Sequence, residues 1–153
     1  MTCVIQRVKC ADVKVDGEIV GACKEGLLLL LGVWQNDSEK DADVLAAKIA
    51  KLRIFCDENG KMNRSICDVN GSALVVSNFT LCANYKHGNR PDYISAQKPD
   101  RANELYEYFA AKLRTLIEGS VQTGRFGADM QIDSCLDGPV TIVMDSHVLM
   151  GVS

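Results

Sequence analysis

The sequence predicts one mixed α/β domain with a strongly curved, barrel-like β-sheet and two main helices packed on it. Its 153 residues suit a single domain with a sizeable core. An apolar fraction of 47% and a charged fraction of 24% are those of an ordinary globular protein. The order of elements is strands, a helix, further strands, a second helix and two closing strands. We therefore expect one domain over residues 1–153, ending in an apolar tail, residues 147–153, that packs either on the domain or on a partner.

The first third of the chain contains the clearest strand signals. Val4–Val8 begins as a strand, and Asp16-Gly17 between two short apolar runs predicts a hairpin. Leu27–Val33 is continuously apolar, which favours a central strand covered on both faces. Periodicity alone does not separate such a strand from a buried helix.

Two segments have helical periodicity. Asp37 or Ser38 is positioned to cap the first, and Pro99 stands in the first turn of the second, which Gly119 ends. The apolar stripes are Ala42, Leu45, Ile49 and Leu52 in the first helix, and Leu105, Phe109, Leu113 and Leu116 in the second.

The remaining segments are extended or irregular. Arg53–Cys56 is predicted to be extended, and Ala73–Ser77 is predicted to be a buried strand. Residues 122–130 are predicted to be a glycine-containing connection, and Gln131–Ser134 and Val140–Asp145 to be the two closing strands.

Composition limits the function classes. A net charge of −3 argues against a general nucleic-acid-binding protein, although a local patch can still contact phosphate. The first residues do not form a signal peptide, and the longest apolar run, Leu27–Leu31, is too short to cross a bilayer. We therefore expect a cytoplasmic protein.

The seven cysteines do not predict a metal site. Their number is odd, no two form a C-x-x-C pair, and only His87 and His147 are available to supplement them. Free thiols that serve as small apolar residues explain them better. We expect neither a metal nor a cofactor.

The polar segment Lys86–Arg90 is the best candidate for a phosphate-contacting loop. A solvated loop with incidental charge is the competing interpretation, and the residues do not decide between them.

Ser77-Asn78-Phe79-Thr80-Leu81 follows a buried strand, where functional groups often stand on a rigid support. Ser77 and Thr80 carry hydroxyls, and backbone N–H groups there are suited to stabilise an oxyanion. A hydroxyl nucleophile needs an adjacent base, and the sequence offers no obvious one. Thr80 is better explained as a structural hydroxyl. A reaction that uses backbone donors and a group from the substrate fits the missing base.

Gly138-Pro139 is the second notable pair. Proline has a fixed φ and no N–H, so within a sheet it breaks a ladder hydrogen bond. Between two apolar runs the pair is either the plain start of a strand or a rigid projection. The residues alone favour the plain start.

Taken together, these segments resemble the D-aminoacyl-tRNA deacylases. The resemblance covers nearly the whole chain, and the shared order of the segments makes it specific. The matching segments are Ile5–Val8, Leu28–Gly32, Arg53–Phe55, Gly60–Asn63, Leu74–Leu81, Gly88–Pro91, Thr123–Gly127 and Asp137–Thr141.

The resemblance implies a homodimer with two active sites at the subunit interface. Gly138-Pro139 is then a cis pair that one subunit inserts into the pocket of the other, where its carbonyls meet the aminoacyl group at the tRNA 3′ end. D-aminoacyl and glycyl esters fit, and L-aminoacyl esters are excluded sterically. The implied reaction is hydrolysis to tRNA and a free D-amino acid or glycine.

The resemblance also assigns roles to other residues. Ser77, Asn78, Phe79 and Thr80 form the catalytic motif, whose backbone positions the ester while the 2′-hydroxyl of the terminal adenosine helps to activate water. Arg7 and Met130 match positions that hold the Gly-Pro pair inward. This chain departs from the family pattern twice: Asn78 stands where glutamine is usual, and Leu136 stands where asparagine is usual.

Two alternatives stay open. One is the related deacylase type with a trans Gly-Pro pair, which removes certain L-amino acids; Phe79 and Arg7 favour the cis type. The other is a non-catalytic dimer that binds the 3′ end of RNA.

Overall fold

The computed structural model describes residues 1–151, and it confirms a mixed α/β fold with a curved sheet. The sequence predicted the hairpin at Asp16-Gly17 and the central strand correctly. The elements are β1 Thr2–Val15, β2 Glu18–Cys23, β3 Gly26–Gly32, α1 Glu39–Ala50, β4 Phe55–Cys56, β5 Met62–Arg64, β6 Ser72–Ser77, a 3₁₀ turn Phe79–Cys82, α2 Pro99–Leu116, β7 Val121–Thr123, β8 Gln131–Asp145 and α3 Ser146–Met150.

The main sheet runs β2-β1-β3-β6-β7, with β8 on the free edge of β1. Strands β3, β6 and β7 are mutually parallel, and the other pairings in this sheet are antiparallel. The sheet curves until β2 approaches β7, where the Ala22 N–H donates to Gln122 Oε1 over 2.9 Å. The mixed sheet is therefore a nearly closed barrel.

The core has two apolar layers, one on each face of the sheet. Helices α1 and α2 cover the outer face, which includes Ile5 and Leu29. The inner face of the barrel contains Val8, Leu28 and Leu74. Because β3 contributes alternate residues to both layers, its sequence is apolar without interruption.

Helix α1 begins where predicted and ends earlier. Ser38 is the N-cap, and its N–H and hydroxyl both donate to Asp41 Oδ2 over 2.9 Å. Lys51 is the C-cap, so Leu52 lies just beyond the helix. Helix α2 likewise ends at Leu116 rather than at Gly119.

The largest correction concerns the last third of the chain. Val121–Thr123 is a strand because it pairs in parallel with β6, so it is not part of a loop. The two predicted closing strands are one continuous strand, β8, that pairs with β1 over nearly its whole length. Gly138-Pro139 therefore lies inside a strand.

The C-terminal tail turns into α3, in which Ser146 is buried and Val148 is exposed. The rest of the predicted tail, residues 152–153, lies outside the described residues. Among residues 1–151, no helix is both long and apolar enough to cross a membrane.

Candidate functional site

A cavity of about 720 Å³ opens beside the end of β6. The first two turns of α2, the end of β3 and the segment after β7 form its walls, and most of its surface is apolar. The residues that line it include Ser77, Asn78, Phe79, Tyr93, Gln97, Lys98, Tyr106, Phe126, Ala128, Met130 and Ile132.

The predicted motif Ser77-Asn78-Phe79 lies at the edge of this cavity. The Asn78 N–H donates to the Leu31 carbonyl over 2.8 Å, which extends the parallel pairing of β6 with β3 by one residue. The chain then tightens into the 3₁₀ turn that begins at Phe79. Because the first amides of such a turn have no partner within it, the N–H groups of Phe79 and Thr80 are available as donors.

Phe79 is 60% exposed, which is unusual for a phenylalanine. Its ring makes an edge-to-face contact with Tyr93, with ring centroids 4.9 Å apart. This contact joins the motif to the irregular loop that precedes α2 and leaves the other side of the ring open.

Thr80 is exposed and does not line the cavity. Its hydroxyl donates to Asn78 Oδ1. The Asn78 side chain therefore accepts a hydrogen bond within the motif itself.

Tyr106 is the one phenol buried in the cavity wall of the described chain. Its hydroxyl donates to the Val75 carbonyl over 2.8 Å. Burial raises the pKa of this phenol to about 12, so it does not act as a base near neutral pH. Among the described residues, the cavity lining contains neither a carboxylate nor an imidazole.

The second predicted motif forms a bulge in β8. Leu136 pairs with Val8 and Thr141 pairs with Gln6, so the four residues 137–140 stand opposite the single residue Arg7. The Gly138–Pro139 peptide bond is cis, and both residues are exposed. Gly138 has a φ of 131°, and a Cβ there would lie 2.8 Å from the backbone nitrogen of Val140. The pair therefore projects from the strand, contrary to the plain strand start that the residues favoured.

Arg7 lies beneath this bulge and is almost fully buried. Its Nε donates to the Asp137 carbonyl over 3.1 Å and lies 3.1 Å from Asp137 Oδ2. Its Nη1 donates to the Ile54 carbonyl over 2.6 Å. One guanidinium thus fixes the base of the bulge to the strand below it and to the start of β4.

The structure brings the predicted site residues together as two groups. Ser77, Asn78, Phe79 and Met130 share the cavity, where Met130 Sδ packs close to Gly124. Arg7 lies with Gly138 and Pro139, which are not among the residues that line the cavity of the same chain. Only Arg7 of the two expected supporting residues contacts the bulge within one described chain.

Loop residues Lys86–Arg90 are exposed, and nothing in the described chain decides between phosphate contact and simple solvation. Lys98, at the start of α2, does line the cavity and places one cation at its rim.

A separate buried polar cluster surrounds the Met1 ammonium. This group donates to Asp37 Oδ1 over 2.7 Å and to Ser146 Oγ, and Asp41 and His147 complete the cluster. The two carboxylates and the imidazole are close enough to share a metal ion, but the ammonium lies among them. Burial raises the pKa of Asp37, and the ammonium hydrogen bond opposes this effect. The cluster is thus arranged around a cation of the chain itself.

Sequence reasoning missed the cavity wall formed by Tyr106, Phe126 and Ala128. Tyr106 belongs to the apolar face of α2, where an aromatic residue is indistinguishable from core by spacing alone. Residues 122–130 were predicted as a glycine-containing connection and Thr123–Gly127 as a segment of the resemblance, but neither prediction placed them in a cavity wall.

A family model described as "D-Tyr-tRNA(Tyr) deacylase" matches residues 4–145. A protein of Ruegeria pomeroyi named D-aminoacyl-tRNA deacylase is 56% identical over 95% of this chain and 99% of its own. Proteins with the same name from Akkermansia muciniphila and Thermosipho melanesiensis are 53% and 49% identical, each over at least 95% of both chains.

Two solved structures share the fold. One, described as c-Myc DNA Unwinding Element Binding Protein, has a TM-score of 0.89 and 38% identity over 95% of this chain and 98% of its own. The other, described as a probable eukaryotic D-amino acid tRNA deacylase, has a TM-score of 0.80 over 95% of this chain and all of its own. Its 16% identity supports the fold alone.

Proposed function

This chain belongs to the D-Tyr-tRNA(Tyr) deacylase family, and on that premise we propose how it acts as an editing enzyme. It is a hydrolase that cleaves the ester of D-aminoacyl-tRNA. In our proposal it releases a free D-amino acid, or glycine from mischarged tRNA, and leaves L-aminoacyl-tRNA intact. The observation that carries the proposal is the rigid bulge of β8, held by Arg7 and exposed at Gly138 and Pro139.

The chemistry of the cavity supports RNA-assisted hydrolysis. Ester hydrolysis needs a base for water and donors for the oxyanion. The free N–H of Phe79, at the edge of the cavity, supplies a donor, whereas the described cavity lining has no carboxylate or imidazole. The 2′-hydroxyl of the terminal adenosine, which enters with the substrate, supplies the missing polar group next to the ester.

A homodimer explains why the two motif groups are separate in one chain. The inner face of β8 exposes apolar side chains along the strand, among them Ile132, Leu136 and Val143, which is 69% exposed. Such a stripe on a sheet edge is typical of a protein interface. A two-fold axis here brings each bulge to the partner's cavity, so each active site takes Ser77–Thr80 from one subunit and Gly138-Pro139 from the other.

Chiral selection then depends on backbone rather than on side chains. The bulge presents carbonyl oxygens at fixed positions because Arg7 binds Asp137 and Ile54 together. A rigid surface against one side of the α-carbon leaves room for hydrogen and excludes an L side chain.

The direct test is deacylation of paired D- and L-tyrosyl-tRNA together with glycyl-tRNA, at enzyme concentrations far below that of the substrate. We expect turnover of the D and glycyl esters and negligible turnover of the L ester. Preferential release of L-tyrosine would instead identify the L-specific type of deacylase.

Nucleic-acid binding without turnover is the second candidate, because the relative described as a c-Myc DNA Unwinding Element Binding Protein is 38% identical. Tight binding of uncharged tRNA or single-stranded DNA, with no ester cleavage under the same conditions, would support it and would contradict an editing role.

Shared sites are tested by mixing two variants that each have little D-tyrosyl-tRNA deacylase activity. Arg7→Ala releases the base of the bulge, and Ala128→Trp fills the cavity from a half-buried loop position. If the sites are shared, each mixed dimer contains one intact site of its two. Random pairing makes about half of the dimers mixed, so the whole mixture recovers about a quarter of wild-type activity. No recovery, despite mixed dimers seen by native mass spectrometry, would place the bulge and the cavity in one subunit.

A separate variant of the bulge itself, Pro139→Ala, tests selectivity. We expect Pro139→Ala either to admit L-tyrosyl-tRNA or to lose activity, because the surface against the substrate loses its fixed shape. Full rate with full chiral selectivity would remove the bulge from the proposal.

A further inference from the structure

Two free cysteines face each other across β1 and β8. Cys10 is the direct partner of Cys135 in the antiparallel pairing, and both thiols are exposed. On one side, the next pairs along the ladder, Ala11 with Ser134 and Asp12 with Asp133, continue in regular register. On the other side, Lys9 has no partner in β8 between Val8 and Cys10, so the cysteine pair borders a second irregularity as well as the bulge.

This placement meets the geometric needs of a disulfide. Side chains of directly opposed residues point to the same face of a sheet, with Cβ atoms about 4.5–5.5 Å apart. A disulfide needs Cα atoms about 4.4–6.8 Å apart and Cβ atoms about 3.5–4.5 Å apart. Closing the bond therefore requires the two Cβ atoms to approach each other by up to about 1 Å from the usual separation of opposed residues.

Cys23 is the competing thiol, and its position disfavours it. It pairs with Ala11 on the neighbouring strand and points into the barrel interior, where it is buried. Burial raises the pKa of Cys23 to about 11, which depletes the reactive thiolate near neutral pH. Cys56 and Cys67 are exposed but belong to other parts of the chain.

The two thiols also lie away from the proposed dimer contact. They share their face of the ladder with Asp12, Lys14 and Asp133, and Lys14 Nζ lies 2.6 Å from Asp133 Oδ2. Ile132 and Leu136, part of the apolar stripe, lie on the opposite face of β8. Dimerisation as proposed leaves Cys10 and Cys135 accessible.

We propose that Cys10 and Cys135 form a reversible disulfide when the protein meets a hydroperoxide. One thiolate attacks the peroxide and becomes a sulfenic acid, releasing water or an alcohol; the second thiolate then displaces hydroxide, which leaves as water. Two thiols are oxidised, one peroxide bond is reduced, and a dithiol restores the starting state by exchange.

The disulfide would fix the outer half of β8, residues 131–136, to β1. Strand β8 has β1 as its neighbour among the described residues, and its outer half carries Ile132 at the cavity and leads into the Asp137 end of the bulge. Because the link closes a loop of more than a hundred residues, it restricts the unfolded chain strongly.

The test treats the intact protein with hydrogen peroxide and maps disulfides without reduction. Trypsin places Cys10 in the peptide of residues 10–14 and Cys135 in the peptide of residues 126–153, each as its single cysteine. We expect these two peptides to be joined, and Tm to rise by about 5–10 °C until dithiothreitol is added.

Controls make the result specific. Cys10→Ser and Cys135→Ser are each expected to abolish both the cross-link and the Tm shift, whereas Cys67→Ser is expected to change neither. A Cys10–Cys23 link, a covalent dimer on a non-reducing gel, or overoxidation of both thiols without a link would overturn the proposal.

Discussion

Two buried cations near β8, the Met1 ammonium and the Arg7 guanidinium, bind different kinds of partner. At one end of the β1–β8 pairing, the Met1 ammonium is fully buried and paired with the side chains of Asp37 and Ser146. Six residues along, the buried guanidinium of Arg7 donates to the backbone carbonyls of Asp137 and Ile54, and it also pairs with the Asp137 carboxylate. The first arrangement neutralises charge inside the fold, and the second holds an exposed piece of backbone in place.

We therefore expect the contacts of Met1 to govern stability and those of Arg7 to govern activity. A buried charge that loses its partner destabilises the whole domain. A guanidinium that binds carbonyls at the base of a projection mainly affects where that projection points. Variants at the two positions should therefore separate stability from activity.

Asp37→Ala is expected to have the largest effect. It leaves the buried ammonium without its nearest carboxylate, which costs about 3–5 kcal/mol of the free energy of unfolding. Urea unfolding measures this loss. Glu39→Ala, which removes an exposed ion pair with Arg101, is the control and should leave the urea midpoint nearly unchanged. Equal losses in the two variants would refute the special role of the buried pair.

Arg7→Ala should reduce kcat/KM for D-tyrosyl-tRNA by about 100-fold, because a shift of the bulge by roughly 1 Å misplaces the substrate. Lys9→Ala is the matched control: it removes the exposed contact with Asp137 Oδ2 and should change the rate less than about twofold. The proposed role of Arg7 in activity would be refuted if Arg7→Ala lowered the free energy of unfolding and left kcat/KM intact.

Ser38→Ala tests the buried polar cluster near Met1 through the pH dependence of stability. Burial raises the pKa of Asp41, but hydrogen bonds from Ser146 and Ser38 outweigh it and lower the pKa below its ordinary value. A lowered pKa adds stability above the unfolded-state value, and that stability is lost as pH falls through the folded-state value. Removing the Ser38 hydroxyl should move the acid unfolding midpoint to higher pH and cost about 1 kcal/mol at neutral pH. An unchanged midpoint in circular dichroism would contradict the assignment.

Thr80→Ala should have the smallest effect. The Thr80 hydroxyl donates to Asn78 within the 3₁₀ turn, and the backbone N–H is retained in the variant. We expect deacylation within about threefold of wild type. A loss of several orders of magnitude would identify Thr80 as a nucleophile after all.

The sequence predicted those parts of the fold that depend on local pattern. The Asp16-Gly17 hairpin, the central strand and both helix starts follow from turn chemistry, apolar periodicity and capping, which act within a few residues. Residues 121–123 become a strand only because β6 lies beside them, and no local pattern contains that information.

The candidate site was predictable only in part, for the same reason. Gly138-Pro139 was recognisable as unusual, but its projection depends on the register in which Gln6 and Val8 pair around Arg7. The contribution of Tyr106 to the cavity depends on how α2 packs against the sheet. Met130 separates from Arg7 because Met130 precedes β8 at the cavity, whereas Arg7 lies on β1 opposite the bulge, a relation that motif matching does not describe.

The seam where β2 meets β7 has a consequence for motion. Gly21 stands against the Thr123 carbonyl, and a Cβ at position 21 would lie only 2.3 Å from that oxygen. Any larger residue there would wedge the barrel open along this line. Since the chain runs from Thr123 directly into the segment with Phe126 and Ala128, loosening the seam would widen the cavity from behind, at a site remote from the substrate.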